Sequence, residues 1–427
     1  MRILLWFICF ISLCAGQEAK SPPAPAPAPS ESVTIDQAVQ EAIARNLGLL
    51  AERYNLSIAD ARIITARLRP NPVISSGVDY IDAFGTGFNL RNAAGPTEFN
   101  FRVDFVLERG RKREWRTELA QNAREVAQFQ LLNATRVLIQ DVQSAFVDVL
   151  LAKENLKLAQ ENLAAFNRIV DVNAARVQAG DLAKVELVRS RVAALQFQNA
   201  VRQAEAHLRI ARNQLQTLMG RTMPSPSFDA VGALRRDPLL LTLDGLQEQA
   251  LKLRPDLRAL DRDQARSLSD LRLQMAQGKV DYTVGAEFHR QFYNASGNSL
   301  GLFFSAPLPV FNRNQGEIER ARREQEQIQA RIRAYQADIL TEVRNAWVQY
   351  STSRDLLESI ERDMLAQARD VRQITEYSYR RGEASFVEFL DAQRAFNDTM
   401  QGYNEARAEY ARSLYLIDSI SGKVVNP

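Results

Sequence analysis

The chain is written twice. The stretch TIDQAVQEAIARNLGLLAERYNLSIADAR starts at Thr34, and TLDGLQEQALKLRPDLRALDRDQARSLSD starts at Thr242. Each opens with a threonine suited to cap a helix and an aspartate in the first turn. VQSAFVDVL at 142–150 is echoed by VRNAWVQYS at 343–351, and QAGDLAKVELVRSR at 178–191 by RRGEASFVEFLDAQ at 380–393. Gly220 and Gly422 close the two halves, and the offset stays near two hundred residues. A repeat of that length means that one structural unit was duplicated, so any fold must accommodate the unit twice.

Each unit reads as two helices, a strand–loop–strand, a long helix, a tight turn and a second long helix. The first repeat spans 34–220, with a hairpin at about 73–108 and long helices at about 111–178 and 182–219. A connector covers 221–241. The second repeat spans 242–422, with a hairpin at about 280–309 and long helices at about 315–380 and 385–421, before a tail at 423–427. The strands alternate cleanly. Phe99, Phe101, Val103, Phe105 and Leu107 are interleaved with polar residues, as are Tyr282, Val284, Ala286 and Phe288, and Leu300, Leu302 and Phe304. Each run is close to the roughly ten residues that cross a bilayer as a tilted strand. Polar loops, FGTGFNLRNAAGPT and NASGN, join them.

Two hairpins in a soluble sheet would leave edges open, and a sandwich needs more strands and a second apolar layer. One chain cannot close a membrane barrel either, since the minimum is about eight strands. Membrane strands here therefore require several chains to share one barrel.

The helices carry a matching signal. Val142, Ala145, Val149, Ala152, Leu156, Ala159, Leu163, Phe166, Val170 and Val177 recur at spacings of three and four, broken at Asn173, like a coiled-coil seam. Partners recur at Leu208, Ala211, Leu215 and Leu218, and in the second repeat at Leu357, Ile360, Met364, Val371 and Ile374. One helix over 111–178 is roughly 100 Å long at 1.5 Å per residue. The same pattern suits a plain bundle core.

The N-terminus is set apart. Arg2 precedes an apolar run from Ile3 to Leu13 and then CAGQ, the layout of a secretory signal peptide over 1–16. Residues 17–33 form a Pro/Ala linker. Cys9 and Cys14, the only cysteines, lie in this leader. Cys14 is a candidate lipidation site, although Leu13 stands where a lipobox carries a small residue; cleavage near Gly16 is the alternative. A formal charge of +3 over 427 residues is too small to imply a nucleic-acid partner. No enzyme site is visible: His207 and His289 are far apart, neither has a second ligand at metal spacing, and no phosphate loop or nucleophile motif occurs. No cofactor or bound metal is expected.

The stretches RLRPNPVIS, LERGRKREWR, APLPVFNRNQGEIERARRE, AGDLAKVEL and RGEASFVEFLDAQ, in that duplicated order, resemble the TolC family of outer-membrane efflux proteins, and most closely its heavy-metal, CzcC/CusC-like branch. The resemblance runs from about Thr34 to Gly422. It implies a mainly α fold with membrane β: long antiparallel coiled-coil helices plus a hairpin, assembled as a homotrimer with a twelve-strand barrel in outer-membrane lipid and a twelve-helix α-barrel in the periplasm. It also implies a passive exit duct served by a periplasmic adaptor and an inner-membrane pump of the RND type, carrying heavy-metal cations or drugs. An export duct for secreted proteins and a coiled-coil scaffold without a pore remain as alternatives.

On this resemblance, PLPVFNRNQG is where a barrel strand becomes tunnel wall. Pro307 and Pro309 end the ladder, because proline has no N–H to donate, and Asn312, Asn314 and Gly316 allow the turn, as LERGRK at 107–112 does in the first repeat. Glu388 and Asp391, three apart on one helix face, match the acidic pair that rings the closed periplasmic aperture. Tyr379 and Glu186 match the pair that latches the two coiled coils. The basic latch residue of some members is replaced by Ala384, with Arg380 and Arg381 as nearby substitutes. The tips at Gly180, Asp181 and Leu182, and at Arg381, Gly382 and Ser385, are the expected adaptor contacts.

Overall fold

A computed structural model describes residues 31–81, 83, 85, 97–291 and 297–423. The signal peptide, Cys14, nearly all of the linker, much of both strand-connecting loops and most of the tail lie outside the described residues.

The first repeat runs β1 (Glu31–Val33), α1 (Ile35–Arg45), α2 (Leu47–Arg67), β2 (Val73–Asp79), β3 (Glu98–Leu107), α3 (Lys112–Ala179) and α4 (Lys184–Leu218). The second runs β4 (Phe228–Ala230), α5 (Leu243–Leu253), α6 (Pro255–Gln277), β5 (Tyr282–Gln291), β6 (Gly297–Ser305), α7 (Gln315–Ser359), a π turn (Ile360–Met364), α8 (Leu365–Arg381) and α9 (Phe386–Ile420). Thr34 caps α1 through a reciprocal pair with Gln37, and the Thr242 hydroxyl accepts from the Gly245 N–H at 3.3 Å. Among the described residues, no helix is long and apolar enough to cross a membrane.

Three boundaries differ from the sequence reading. Glu31–Val33, read as linker, is a strand paired in parallel with Phe228–Ala230 of the connector. A three-residue strand shows no periodicity; Val33, Phe228 and Ala230 are held there by burial in the core around Phe146. The long helix of the second repeat is interrupted by the π turn, where the Glu361 carboxylate is held by Arg236 at 2.9 Å and Tyr403 at 3.0 Å. Gly316 does not make the junction turn: it lies inside the first turn of α7. Asn314 makes it, with φ of 62°, and its amide donates to the Gln274 carbonyl at 2.8 Å. The Asn312 side chain accepts from the Asn314 N–H, while Pro307 and Pro309 lie just past the end of β6. In the first repeat Gly110 and Arg111 take the same left-handed backbone.

The four longer strands form one antiparallel sheet in the order β2-β3-β5-β6. Register places Phe101 opposite Phe288, Val103 opposite Ala286, and Val284 opposite Phe304. One face is therefore mainly apolar and exposed to the surroundings, with Ser76 and Arg290 as its polar interruptions on β2 and β5. The other carries Asn100, Arg102, Asp104, Glu287 and His289. On that face the Arg102 guanidinium lies 4.2 Å over the Phe303 ring, and Gly285 leaves room for Asp104, whose carboxylate would collide with a Cβ there. β2 and β6 form the two edges, and neither has a partner strand on its outer side among the described residues.

The helical cores repeat as the sequence does. Val142, Phe146, Val149, Leu215 and Met219 fill the first, and Ile339, Val343, Ala346, Leu414 and Ile417 the second. Gly220 turns the end of α4 with φ of 82° and packs against the bend between α1 and α2, where a Cβ would collide with the Arg45 carbonyl. A buried ionic cluster joins the repeats. Arg136 on α3 donates to the Ser419 carbonyl (3.1 Å) and lies 3.5 Å from Asp256; Arg254 grips Asp256 at 2.6 Å and also pairs with Glu342; the Tyr335 hydroxyl donates to Asp256 at 2.8 Å.

Candidate functional site: the helical tips

The far ends of the four long helices from the sheet are the α3–α4 and α8–α9 turns. Gly180 and Gly382 each end a helix with φ of 82°, a backbone that costs an L-residue about 1–2 kcal/mol. The next residues, Asp181 and Glu383, fold their N–H groups back onto the Arg176 and Ser378 carbonyls, both at 2.9 Å, which satisfies the orphan carbonyls of the last turn. Asp181, Arg381 and Ser385 are exposed, and Leu182 is half-buried.

Above these turns the two coiled coils are joined by an aromatic cluster drawn from both repeats. Phe166 of α3 lies 4.3 Å from Phe197 of α4 and 5.6 Å from Phe389 of α9, and the Tyr379 ring stacks on Phe389 at 5.4 Å. Phe166 and Phe389 are essentially inaccessible to solvent. Buried amides continue the contact towards the sheet: Gln393 donates to Asn162 at 3.1 Å and to Asn397 at 3.0 Å, and Asn404 to Asn155 at 3.0 Å. Arg412 closes the series on Asp148 at 2.8 Å. Asp148, Asn155 and Asn162 are spaced by seven, one stripe of α3. Buried amides in such a seam fix register, since any slip strands them unpaired.

The seam read from the sequence is only part of this contact. The fully buried ridge of lower α3 is Leu158, Asn162, Phe166, Ile169 and Asn173, whereas Leu156, Ala159, Leu163, Val170 and Val177 are half-buried. Asn173, read as a break in the seam, is the acceptor for the Tyr379 hydroxyl at 2.8 Å. The signal was present: a polar residue at a seam position of an otherwise apolar run.

The expected Tyr379–Glu186 bond is therefore replaced. Tyr379 pairs with Asn173, and Glu186 pairs with Arg189 at 2.8 Å, one turn along α4. Burial pushes the Tyr379 phenol up; the Asn173 bond and Arg176 pull it down, and Glu186 adds to the rise. Arg176 reaches the Tyr379 carbonyl at 3.4 Å, supplying a basic group from the first repeat. Arg380 pairs with Glu376, and Arg381 lies over the Tyr377 ring. The Asn173 amide nitrogen and Glu186 Oε2 are buried without hydrogen-bond partners, a donor and an acceptor left over at the same tip. Tyr379→Phe is expected to leave Asn173 wholly unpaired, at a cost of about 1–3 kcal/mol, read as a lower denaturant midpoint.

Glu388 and Asp391 are both exposed, on the side of α9 opposite buried Phe389 and Gln393. Glu388 also caps its own helix: its carboxylate accepts from the Ser385 N–H at 2.6 Å, while the Ser385 hydroxyl accepts from the Glu388 N–H at 3.2 Å. These bonds from Ser385, the backbone one first, hold the Glu388 carboxyl below the usual carboxylate range. Asp391 has only a loose contact with Arg394 at 3.8 Å. No group of three or more His, Cys, Asp or Glu among the described residues could hold a metal ion. His289 lies on the polar sheet face, 3.2 Å from Glu287 and 4.0 Å from Glu98, and His207 is exposed on α4.

A chain with one apolar strand face, two open sheet edges and two paired coiled coils has relatives. The family described as Outer membrane efflux protein matches residues 38–221 and 246–423, one segment per repeat. The cobalt-zinc-cadmium resistance protein CzcC of Cupriavidus metallidurans is 26% identical over 92% of this chain and 90% of its own length. The pyoverdine export outer membrane protein OpmQ of Pseudomonas putida is 24% identical, covering 85% and 80% respectively. The open-state structure of the Neisseria gonorrhoeae MtrE outer membrane channel superimposes with a TM-score of 0.72 at 16% identity, over 91% of this chain and 88% of that one. The chain therefore belongs to the outer membrane efflux protein, or TolC, family: it is an outer-membrane, periplasm-spanning channel component of a tripartite efflux system.

Proposed function

We propose that three copies of this chain close one duct and that its cargo is heavy-metal cations handed over by an RND-type pump through a periplasmic adaptor. The observation that carries the assembly is the sheet: four strands with two open edges and one mainly apolar face. Four strands are below the minimum for a barrel, and open edges in a membrane leave backbone groups unsatisfied at several kcal/mol each. Pairing β6 of one copy with β2 of the next removes every edge. The metal reading is supported by the likeness to CzcC and by the exposed Glu388–Asp391 pair, which a threefold axis would gather into a ring of six carboxylates.

In this reading the Asn173–Tyr379 bond, with Arg176 behind it, is the latch of the closed state, and Glu186 is the alternative partner in reach of the same tip. The tips at Gly180, Asp181 and Leu182, and at Arg381, Gly382 and Ser385, meet the adaptor. Light scattering on the detergent-extracted particle tests the assembly: a mass of one or two chains overturns it. A deletion strain tests the cargo. Hypersensitivity to zinc, cobalt and cadmium salts alone supports metal efflux. Because the pyoverdine-exporting relative is almost equally similar, the panel includes siderophores and antibiotics, and sensitivity to those alone sinks the metal reading.

A further inference from the structure

The segment LERGRKREWR does more than turn the chain. Where β3 passes into α3, a cavity of about 320 Å³ is lined by Arg69, Pro70, Phe105, Leu107, Lys112 and Arg113, among others. Its two sides differ in chemistry. Phe105 and Leu107 belong to the apolar face of the sheet and are each 50% exposed. Among the charged groups, Lys112 is neutralised by Asp281 at 2.7 Å and Glu108 by Arg116 at 2.8 Å. Arg69 and Arg113 have no acidic partner among the described residues, and Glu114 is the one acid on the wall without a basic partner among them. Arg111 lies beside the pocket, stacked 5.3 Å over Trp115, and Arg272 covers the same indole at 5.1 Å.

The level of this pocket is set by the register. Leu107 pairs with Tyr282, and Thr283 with Ser305, so β3 and β6 leave the sheet at the same, periplasmic end, with β5 between them. There the loop after β6 exposes Leu308 (84%), Val310 (62%) and Phe311 (91%). Unpaired arginines, a tryptophan and bare apolar side chains at one rim are what the interface between acyl chains and headgroups accommodates.

We propose that the pocket seats the phosphate of an anionic phospholipid from the periplasmic leaflet of the outer membrane. Arg69 and Arg113 hold the headgroup, and the acyl chain lies along Phe105 and Leu107 onto the apolar strand face. The lipid is preferred to a free phosphate because two of the lining side chains, Phe105 and Leu107, belong to that apolar strand face. Two cations beside an anionic headgroup give roughly tenfold to thirtyfold selectivity over a zwitterionic lipid.

The test is native mass spectrometry of the intact channel in detergent, titrated with phosphatidylglycerol or phosphatidylethanolamine. Phosphatidylglycerol should be retained at least tenfold more strongly. Arg69→Gln with Arg113→Gln should reduce that preference to near unity, and Glu114→Gln should increase retention, an arm that stays informative if the double variant folds poorly. Equal retention of the two lipids by the unaltered channel overturns the proposal, as does an unchanged preference in the double variant or no gain in Glu114→Gln. Release of the lipid by millimolar inorganic phosphate overturns it too, and assigns the pocket to free phosphate.

Discussion

Glu388→Ala combined with Asp391→Ala is expected to raise the divalent-cation concentration that half-blocks single channels by at least tenfold. Both carboxylates stand on the exposed side of α9, while Phe389, in the aromatic cluster, and Gln393, bonded to Asn162, fix the buried side. Around the threefold axis proposed above, six such groups would make a site that hydrated divalent ions enter and leave slowly. The capping role of Glu388 complicates the alanine variant, because loss of block could then follow from a frayed helix start. Glu388→Gln separates the two effects, since the amide can still accept from the Ser385 N–H but carries no charge. Block relieved equally by Glu388→Gln and Glu388→Ala assigns the effect to charge; block unchanged in the double variant removes the gate from these residues.

The pH dependence has a definite sign. The Glu388 pKa is depressed in the folded chain, so its charge survives acidification past the ordinary glutamate value of about 4.3. Block by the native channel should therefore outlast acidification through the ordinary glutamate range and be lost only as the pH falls further. The same bonds to Ser385 stabilise the helix start above the unfolded pKa and are lost as the pH falls through the folded one.

Asp256→Ala is expected to cost about 3–5 kcal/mol of stability, the largest effect of any single replacement outside the aromatic cluster. Asp256 is the hub where Arg136, Arg254 and Tyr335 converge between the repeats, and Arg254 is only 3% exposed. Burial pushes the Asp256 carboxyl up, but hydrogen bonds from Arg254 and Tyr335 outweigh it and leave the pKa lowered. Removing the carboxylate leaves two guanidinium groups facing each other out of water. Burial already lowers the Arg136 pKa, with Arg254 adding to the fall and Asp256 opposing it. The denaturant midpoint of the extracted channel measures the loss. Asp256→Asn, which keeps a hydrogen-bond acceptor, should lose less, and equal losses would mean that packing, not charge, holds the hub. Because the folded pKa is depressed, this contribution is complete above about pH 4 and declines as the pH falls through the folded value.

How much of this was legible beforehand can be judged from particular residues. The duplication, the alternating strands and the three-four helix spacing are local patterns, and local patterns survive in a linear text. They carried the order of the elements, and strand counting led to the expectation of more than one chain around a barrel. The turns at Gly180, Gly220, Gly382 and Gly422 were equally plain, because other residues take that backbone only at a cost, whereas the junction turn fell to Asn314 and not to Gly316. What the text could not contain is which side of a helix meets which. Asn173 reads as a flaw in an apolar seam until Tyr379, 206 residues later, is brought to its amide. Arg254 and Asp256 carry no mark in the text of the cluster that Arg136 and Glu342 complete. Nothing in IERDM announces a π turn, since its extra residue is stabilised by Arg236 and Tyr403 from elsewhere. Periodicity comes from the geometry of one element and is encoded residue by residue. Partnership between elements depends on the meeting of two distant faces, and only the tertiary structure decides it.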